Sequence, residues 1–156
     1  MSGKLLGLLN DLSRFGKNPM DTVADDIIID WCDLDPRTRY PLAAAVVVLF
    51  KRSNDKAPHE WAALTRQLLL KAPDPEAVFK EIVRRLHTTS GSGSIVTEFE
   101  SRLKLLDQLD IDAVPALVAA LGATQASLRR RIRAERRWEE NRVRSWRFER
   151  KASVPL

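Results

Sequence analysis

Apolar residues recur every three or four positions along almost the whole chain, the spacing that places them on one face of a helix. Leu5, Leu8, Leu9, Leu12 and Phe15 form a first stripe that stops at Gly16. Pro19 opens a second element, whose apolar stripe reads Met20, Val23, Ile27, Trp31 and Leu34. Further helices are expected from about Pro36 to Arg52, Pro58 to Lys71, Pro75 to His87 and Ser94 to Leu109. A last one starts near Ala113, kinks or breaks at Gly122, and runs on to about Glu149. The β-branched runs Ile27 to Ile29 and Val46 to Val48 favour strands by propensity. The second lies in an uninterrupted apolar stretch with three alanines, Leu42 to Phe50, so both runs are read as helix. The fold class is all-α.

The punctuation repeats. Asp35-Pro36 precedes one helix pair and Asp74-Pro75 the next, 39 residues later, and Asp112 follows 38 residues after Asp74. Each Asp can accept from free first-turn amides, and Pro suits the first helical position. At a shift of 39, Tyr40 aligns with Phe79, Ala43 with Ile82, Ala44 with Val83, Val47 with Leu86, Leu64 with Leu103 and Leu70 with Leu109. At a shift of 38, Phe79 and Val83 align with Leu117 and Leu121. Two helices per unit and a period of about 40 are the signature of HEAT-like α-solenoids. Pro41 would kink or delay the first helix of its unit. The division is therefore a helical-repeat body over residues 1–127, with units near 35–73 and 74–111 and a partial third from 112. An Arg-rich helix over 128–151 and a tail over 152–156 complete it. Expected core residues are Tyr40, Ala44, Val47, Leu64, Phe79, Val83, Leu86, Leu103 and Leu106.

A resemblance rests on several stretches. These are Ala24-Asp25-Asp26, Asp30-Trp31-Cys32-Asp33, and Asp35-Pro36-x-x-Arg39-Tyr40-Pro41-Leu42-Ala43-Ala44-Ala45. They continue with the loop Ser90-Gly91-Ser92-Gly93-Ser94, Glu100-Ser101-Arg102-Leu103-x-Leu105-Leu106, and Glu135-Arg136-Arg137-Trp138-Glu139. Together they resemble the HEAT-like helical segments that close large bacterial multidomain proteins. The resemblance covers most of the chain after residue 19. It implies an intracellular scaffold or sensor segment and carries over no catalytic residue.

Composition changes the picture at three points. The lone Cys32 excludes an internal disulfide, and the longest apolar run has nine residues, against the roughly 20 needed to span a bilayer. The start has no cleavage-site pattern, so a cytoplasmic protein without a membrane contact is expected. Net charge is +5, but unevenly placed: residues 128–151 hold ten Arg and one Lys against four Glu, a net of +7. The remaining 15 basic and 17 acidic residues leave the body at −2.

Candidate catalytic chemistry finds little support. Asp26, Asp30 and Asp33 share a helix face, but a cation site wants a looped oxygen cage or a phosphate partner, and a solvated face is the better reading. The Ser-Gly loop lacks the Lys and the preceding strand of a phosphate loop, and reads as a flexible connection with Ser94 capping the next helix. His59 and His87 stand 28 residues apart with no Cys at ligand spacing, so no metal is expected. His87 ends a helix, where a positive charge is favoured. Cys32, beside Trp31 and without a nearby His, reads as a buried small residue. No enzymatic activity and no cofactor are expected.

The Arg-rich helix carries two readings. Its arginines can neutralise phosphates, with Trp138, Trp146 and Phe148 available to stack on bases. Alternatively, the pairs Arg131–Glu135, Arg136–Glu140, Glu140–Arg144 and Glu139–Arg142 stabilise an exposed helix. Leu128 and Ile132, with Trp138 following, would then dock it on the body as a solenoid cap. The sequence favours a non-catalytic protein-interaction or scaffold module whose partner is another protein or another part of a longer chain. Nucleic-acid binding through this helix is the alternative. On either reading the contact residues are Arg129, Arg130, Arg133, Arg137, Trp138, Arg144 and Trp146.

Overall fold

The computed structural model describes residues 19–51, 59–88, 94–110 and 112–152, with the side chains of 19, 21 and 146–152 outside that description. Among the described residues the fold is all-α: six α-helices and one two-residue ribbon. A 3-10 turn, Pro19–Thr22, leads into α1 (Asp25–Asp33), followed by α2 (Pro36–Val46). Then come β1 (Phe50–Lys51), β2 (Glu60–Trp61), α3 (Ala63–Lys71), α4 (Pro75–Leu86) and α5 (Ile95–Leu106). A second 3-10 turn, Pro115–Leu117, runs straight into α6 (Val118–Ala152).

Proline and aspartate set several starts. Pro36 and Pro75 occupy the first position of α2 and α4, where the missing N–H is no loss. Asp74 caps α4, its Oδ1 accepting from the Ala77 amide at 3.1 Å. Asp35 and Ser94 make no such side-chain bond, so two of the expected caps are absent. The third start shifts to Val118, because Pro115 holds Val114 out of helical geometry at φ −139° and ψ 71°.

The helix expected to run from Pro36 to Arg52 stops at Val46. Val47 is already extended, and the chain forms an antiparallel ribbon in which Phe50 faces Trp61 and Lys51 faces Glu60. The reason lies in a distant side chain. Arg85 donates to the Ala44 and Val47 carbonyls, and the Ala44 carbonyl is one that a continuing helix would need. Thr65 and the Ala62 amide both donate to the Leu49 carbonyl, which holds the extended segment in place. For the same reason α3 begins at Ala63 rather than at Pro58, since Glu60 and Trp61 are taken by the ribbon.

The core is one cluster. α2 packs chiefly on α4, α1 on α2, α3 on α4, and α5 on α6. Seven of the nine expected core residues are buried, while Val83 and Leu103 are half-buried at its edge. The stripe expected in α1 points the other way. Ile28, Ile29 and Cys32 are buried, whereas Ile27, Trp31 and Leu34 are 59, 39 and 75% exposed. Three consecutive isoleucines occupy three directions at once, so periodicity does not choose the face. Cys32 does: its small side chain lets α2 approach, with Sγ 3.7 Å from the Arg39 carbonyl it donates to. Burial and neighbouring Asp33 push that thiol up to about 11.

Candidate functional site

α6 is the element that carries the candidate site. It spans 35 residues without interruption, about 52 Å of helix. No break occurs at Gly122: a Cβ there would meet nothing within 4 Å, and the buried Leu121 and Leu128 hold the helix on either side. Pro115 lies before the helix, so nothing within the described part interrupts its backbone ladder.

The first half is anchored. Leu121, Thr124, Leu128 and Ile132 are buried, and Gln125 donates to Asp107 at 2.8 Å. Arg131 lies over the Phe99 ring, 4.7 Å from its centre. Arg136 pairs with Glu100 of α5. Among the described residues Arg136 is the last in the helix with a bond to the body. Sixteen residues from Arg137 to Ala152 therefore extend about 24 Å further.

The expected contact residues Arg129, Arg130, Arg133, Arg137, Trp138 and Arg144 are all exposed. The Trp146 side chain lies outside the described residues. At about 100° per residue, Arg129, Arg130, Arg133, Arg137 and Arg144 fall within an arc of about 100°. That arc is centred roughly 135° round from Leu121, Leu128 and Ile132. The helix thus presents one basic stripe, about 22 Å from Arg129 to Arg144, on the side turned away from the body. Glu140 lies within the same arc and is also exposed. Trp138 stands roughly 120° from the centre of the stripe. It is 56% exposed, so it does not continue the docking face of Leu128 and Ile132. Its ring is covered by the Arg142 guanidinium at 5.1 Å.

The expected intrahelical ion pairs are not formed. Among the described residues the pairs are Arg84–Glu81, Arg102–Glu98 and Arg136–Glu100. Arg136 reaches α5 instead of Glu140, and the five stripe arginines form no ion pair with another described side chain. The charge that sequence pairing would have absorbed is therefore available on the surface.

Asp26, Asp30 and Asp33 are exposed, and Asp33 accepts from the Tyr40 hydroxyl at 2.7 Å. Among the described residues no group of three or more His, Cys, Asp or Glu is placed to hold a metal ion. The Ser-Gly loop over residues 90–93 lies outside the described residues. His87 ends α4, but its imidazole is held below the usual range, by burial first and then by Arg131 and Arg102. The expected favourable charge at that helix end is thus opposed by its neighbours.

Two side chains that sequence reasoning passed over, Arg85 and Arg102, tie helix ends together. Arg102, 3% exposed, donates to the Leu86 carbonyl at the end of α4 and pairs with Glu98. The signal was present: Arg85 follows Val78 and Ile82, and Arg102 follows Phe99, at stripe spacing. An arginine in a buried stripe implies a carbonyl or carboxylate to receive it. No protein-family model, curated protein or solved structure matches the chain.

Proposed function

We propose that the chain is a non-catalytic protein-interaction or scaffold module, in which a body of HEAT-like helix pairs positions α6 for a partner. The observation that carries this reading is the basic stripe of Arg129, Arg130, Arg133, Arg137 and Arg144 on the face of α6 opposite its buried anchor. The repeat reading is supported by the packing of α2 on α4, whose Asp-Pro starts lie 39 residues apart. The partner is an acidic protein surface, on another protein or on another part of a longer chain. Arg and Trp are the side chains that most often dominate such contacts, and Trp138 stands exposed on the same helix, outside the stripe. A cytoplasmic setting is part of this proposal, and what supports it is the resemblance to closing segments of bacterial multidomain proteins. Among the described residues no helix is long and apolar enough to cross a membrane.

The alternative is nucleic-acid binding, which the unpaired stripe favours and the placement of Trp138 does not. Stacking on bases would need the aromatic within the basic track, and Arg142 already covers its ring. One variant, Arg130→Glu/Arg133→Glu/Arg137→Glu, separates the readings. In the protein reading, intact chain used as bait retains a specific protein that the variant loses, and binding to a generic duplex is absent. In the nucleic-acid reading, duplex binding weakens with salt by a logarithmic slope of about −0.9 per phosphate contacted, and is lost in the variant. A partner retained equally by the variant contradicts both.

A further inference from the structure

The outer side of α1 carries charge of the opposite sign to the α6 stripe. Asp26, Asp30 and Asp33 are exposed and fall within an arc of about 60°. About 100° further round the helix runs an apolar ridge of Ile27, Trp31 and Leu34, with exposures of 59, 39 and 75%. Both lines lie away from Ile28, Ile29 and Cys32, the residues that bury α1. Arg39 covers one face of the Trp31 ring at 5.0 Å, and Asp33 accepts from Tyr40.

α6 presents the complement in the same order. Arg130, Arg133 and Arg137 form the charged line, and the exposed Ala134 and Trp138 follow about 90° further round in the same sense. The aspartates are spaced by four residues and then three, and so are Arg137, Arg133 and Arg130 when the helix is read backwards. Two antiparallel helices therefore set Asp26 against Arg137, Asp30 against Arg133 and Asp33 against Arg130 over about 10 Å. Antiparallel packing also brings equal rotations to the same side. Ala134 then falls between Ile27 and Trp31, with Trp138 next to Ile27. Glu140, the acidic residue of the stripe, lies ahead of the start of α1 and meets no aspartate. None of the six paired charges forms an ion pair with another described side chain. The stripe is turned away from the body that anchors its own helix, so the two faces can meet only between copies.

We propose that the acidic partner of the α6 stripe is a second copy of this chain, docked through the Asp26–Asp30–Asp33 side of α1. This inference rests on the reading of α6 as a protein-contact element and names its partner. The two faces differ, so the contact is head to tail. It is short and charged, which makes it transient and sensitive to salt.

The test is sedimentation velocity of the full chain over a concentration series, in low and high salt. Two variants accompany it, Asp26→Lys/Asp30→Lys and Arg130→Glu/Arg133→Glu/Arg137→Glu, with helix content and melting temperature as the check on folding. The unaltered chain is expected to gain mass with concentration and to lose it as salt is added. Each variant alone should associate at least tenfold more weakly, and an equimolar mixture of the two should recover association, because opposite charges then face each other again. Association that survives the α1 variant, or that the mixture does not recover, would overturn the inference. So would a chain that stays monomeric at every concentration in low salt. If the arginine variant still loses its protein in the bait experiment, α6 remains a protein-contact element and its acidic partner is a different chain.

Discussion

Arg85 and Arg102 each hold the end of a helix other than their own, and together they link α5 to α4 and α4 to α2. The Arg85 guanidinium donates to the Ala44 carbonyl at 3.0 Å and the Val47 carbonyl at 2.5 Å. Burial and the adjacent Arg84 lower its proton affinity from the ordinary arginine value. Arg85→Met keeps most of the stem but leaves those carbonyls unsatisfied. The expected loss is about 2–3 kcal/mol in urea unfolding. Arg84→Met, whose side chain is 65% exposed on Glu81, should cost under about 0.5 kcal/mol. Equal losses would mean that the Arg85 bonds contribute nothing to the fold. His87 makes the second residue-scale prediction. Its folded proton affinity is lowered by burial, Arg131 and Arg102, so the folded state binds a proton less well than the unfolded chain. Stability from this group is present above the unfolded value of about 6.5 and is lost as pH falls through the folded value. His87→Gln should shrink the drop in urea midpoint between about pH 7 and pH 5, compared with the unaltered chain. An identical drop in both proteins would contradict the assignment. Neither Arg85 nor Arg102 was legible as a structural tie in the sequence, because which carbonyl a stripe arginine meets depends on how segments 16 to 41 residues apart are packed.

At the scale of elements, helix type and order were legible, and ends and faces were less so. Periodicity located α3, α4 and α5 because each buries one stripe, such as Val78, Phe79, Ile82 and Leu86 in α4. It misplaced the end of α2, where a long-range guanidinium takes a carbonyl the helix would have used, and the ribbon that follows is only two residues per strand. It chose the wrong face of α1, since Ile27-Ile28-Ile29 fits either side and only the contact of Cys32 with α2 decides. Gly122 was read as a break by composition, yet α6 passes through it because packing on both sides overrides propensity. Gly122→Ala therefore meets open space in an existing helix. It should raise stability by about 0.5–1 kcal/mol, visible as an increased melting temperature. A decrease would mean that the helix does break there. Leu128→Ala, at a fully buried anchor, should cost about 2–5 kcal/mol in the same assay.

The whole molecule divides by charge in the way the sequence divides. Residues 128–151 hold a net of +7 over a body at −2, and the fold sets most of that excess on one face of a helix that outruns its anchor. The α6 arginines that the sequence puts forward as contacts, Arg129, Arg130, Arg133, Arg137 and Arg144, are exposed, as are Arg131, Arg136 and Arg142. Sequence reasoning could not tell that their expected glutamate partners stay apart, because surface pairs at helical spacing have small energies and Arg136 finds Glu100 on α5 instead. Nor could it show that Trp138 leaves the docking face, since helix phase against the body is set by Leu128 and Ile132. α6 is the proposed partner-contact element. A photoreactive amino acid placed at position 133 or 137 of the full chain, and at the exposed body position 104 as control, tests this most directly. After irradiation in native cell extract, the account predicts one specific protein adduct from positions 133 and 137 and none from 104. That adduct should vanish when Arg129, Arg130 and Arg144 are changed to Glu. Adducts of equal yield from position 104, or none from α6, would contradict it.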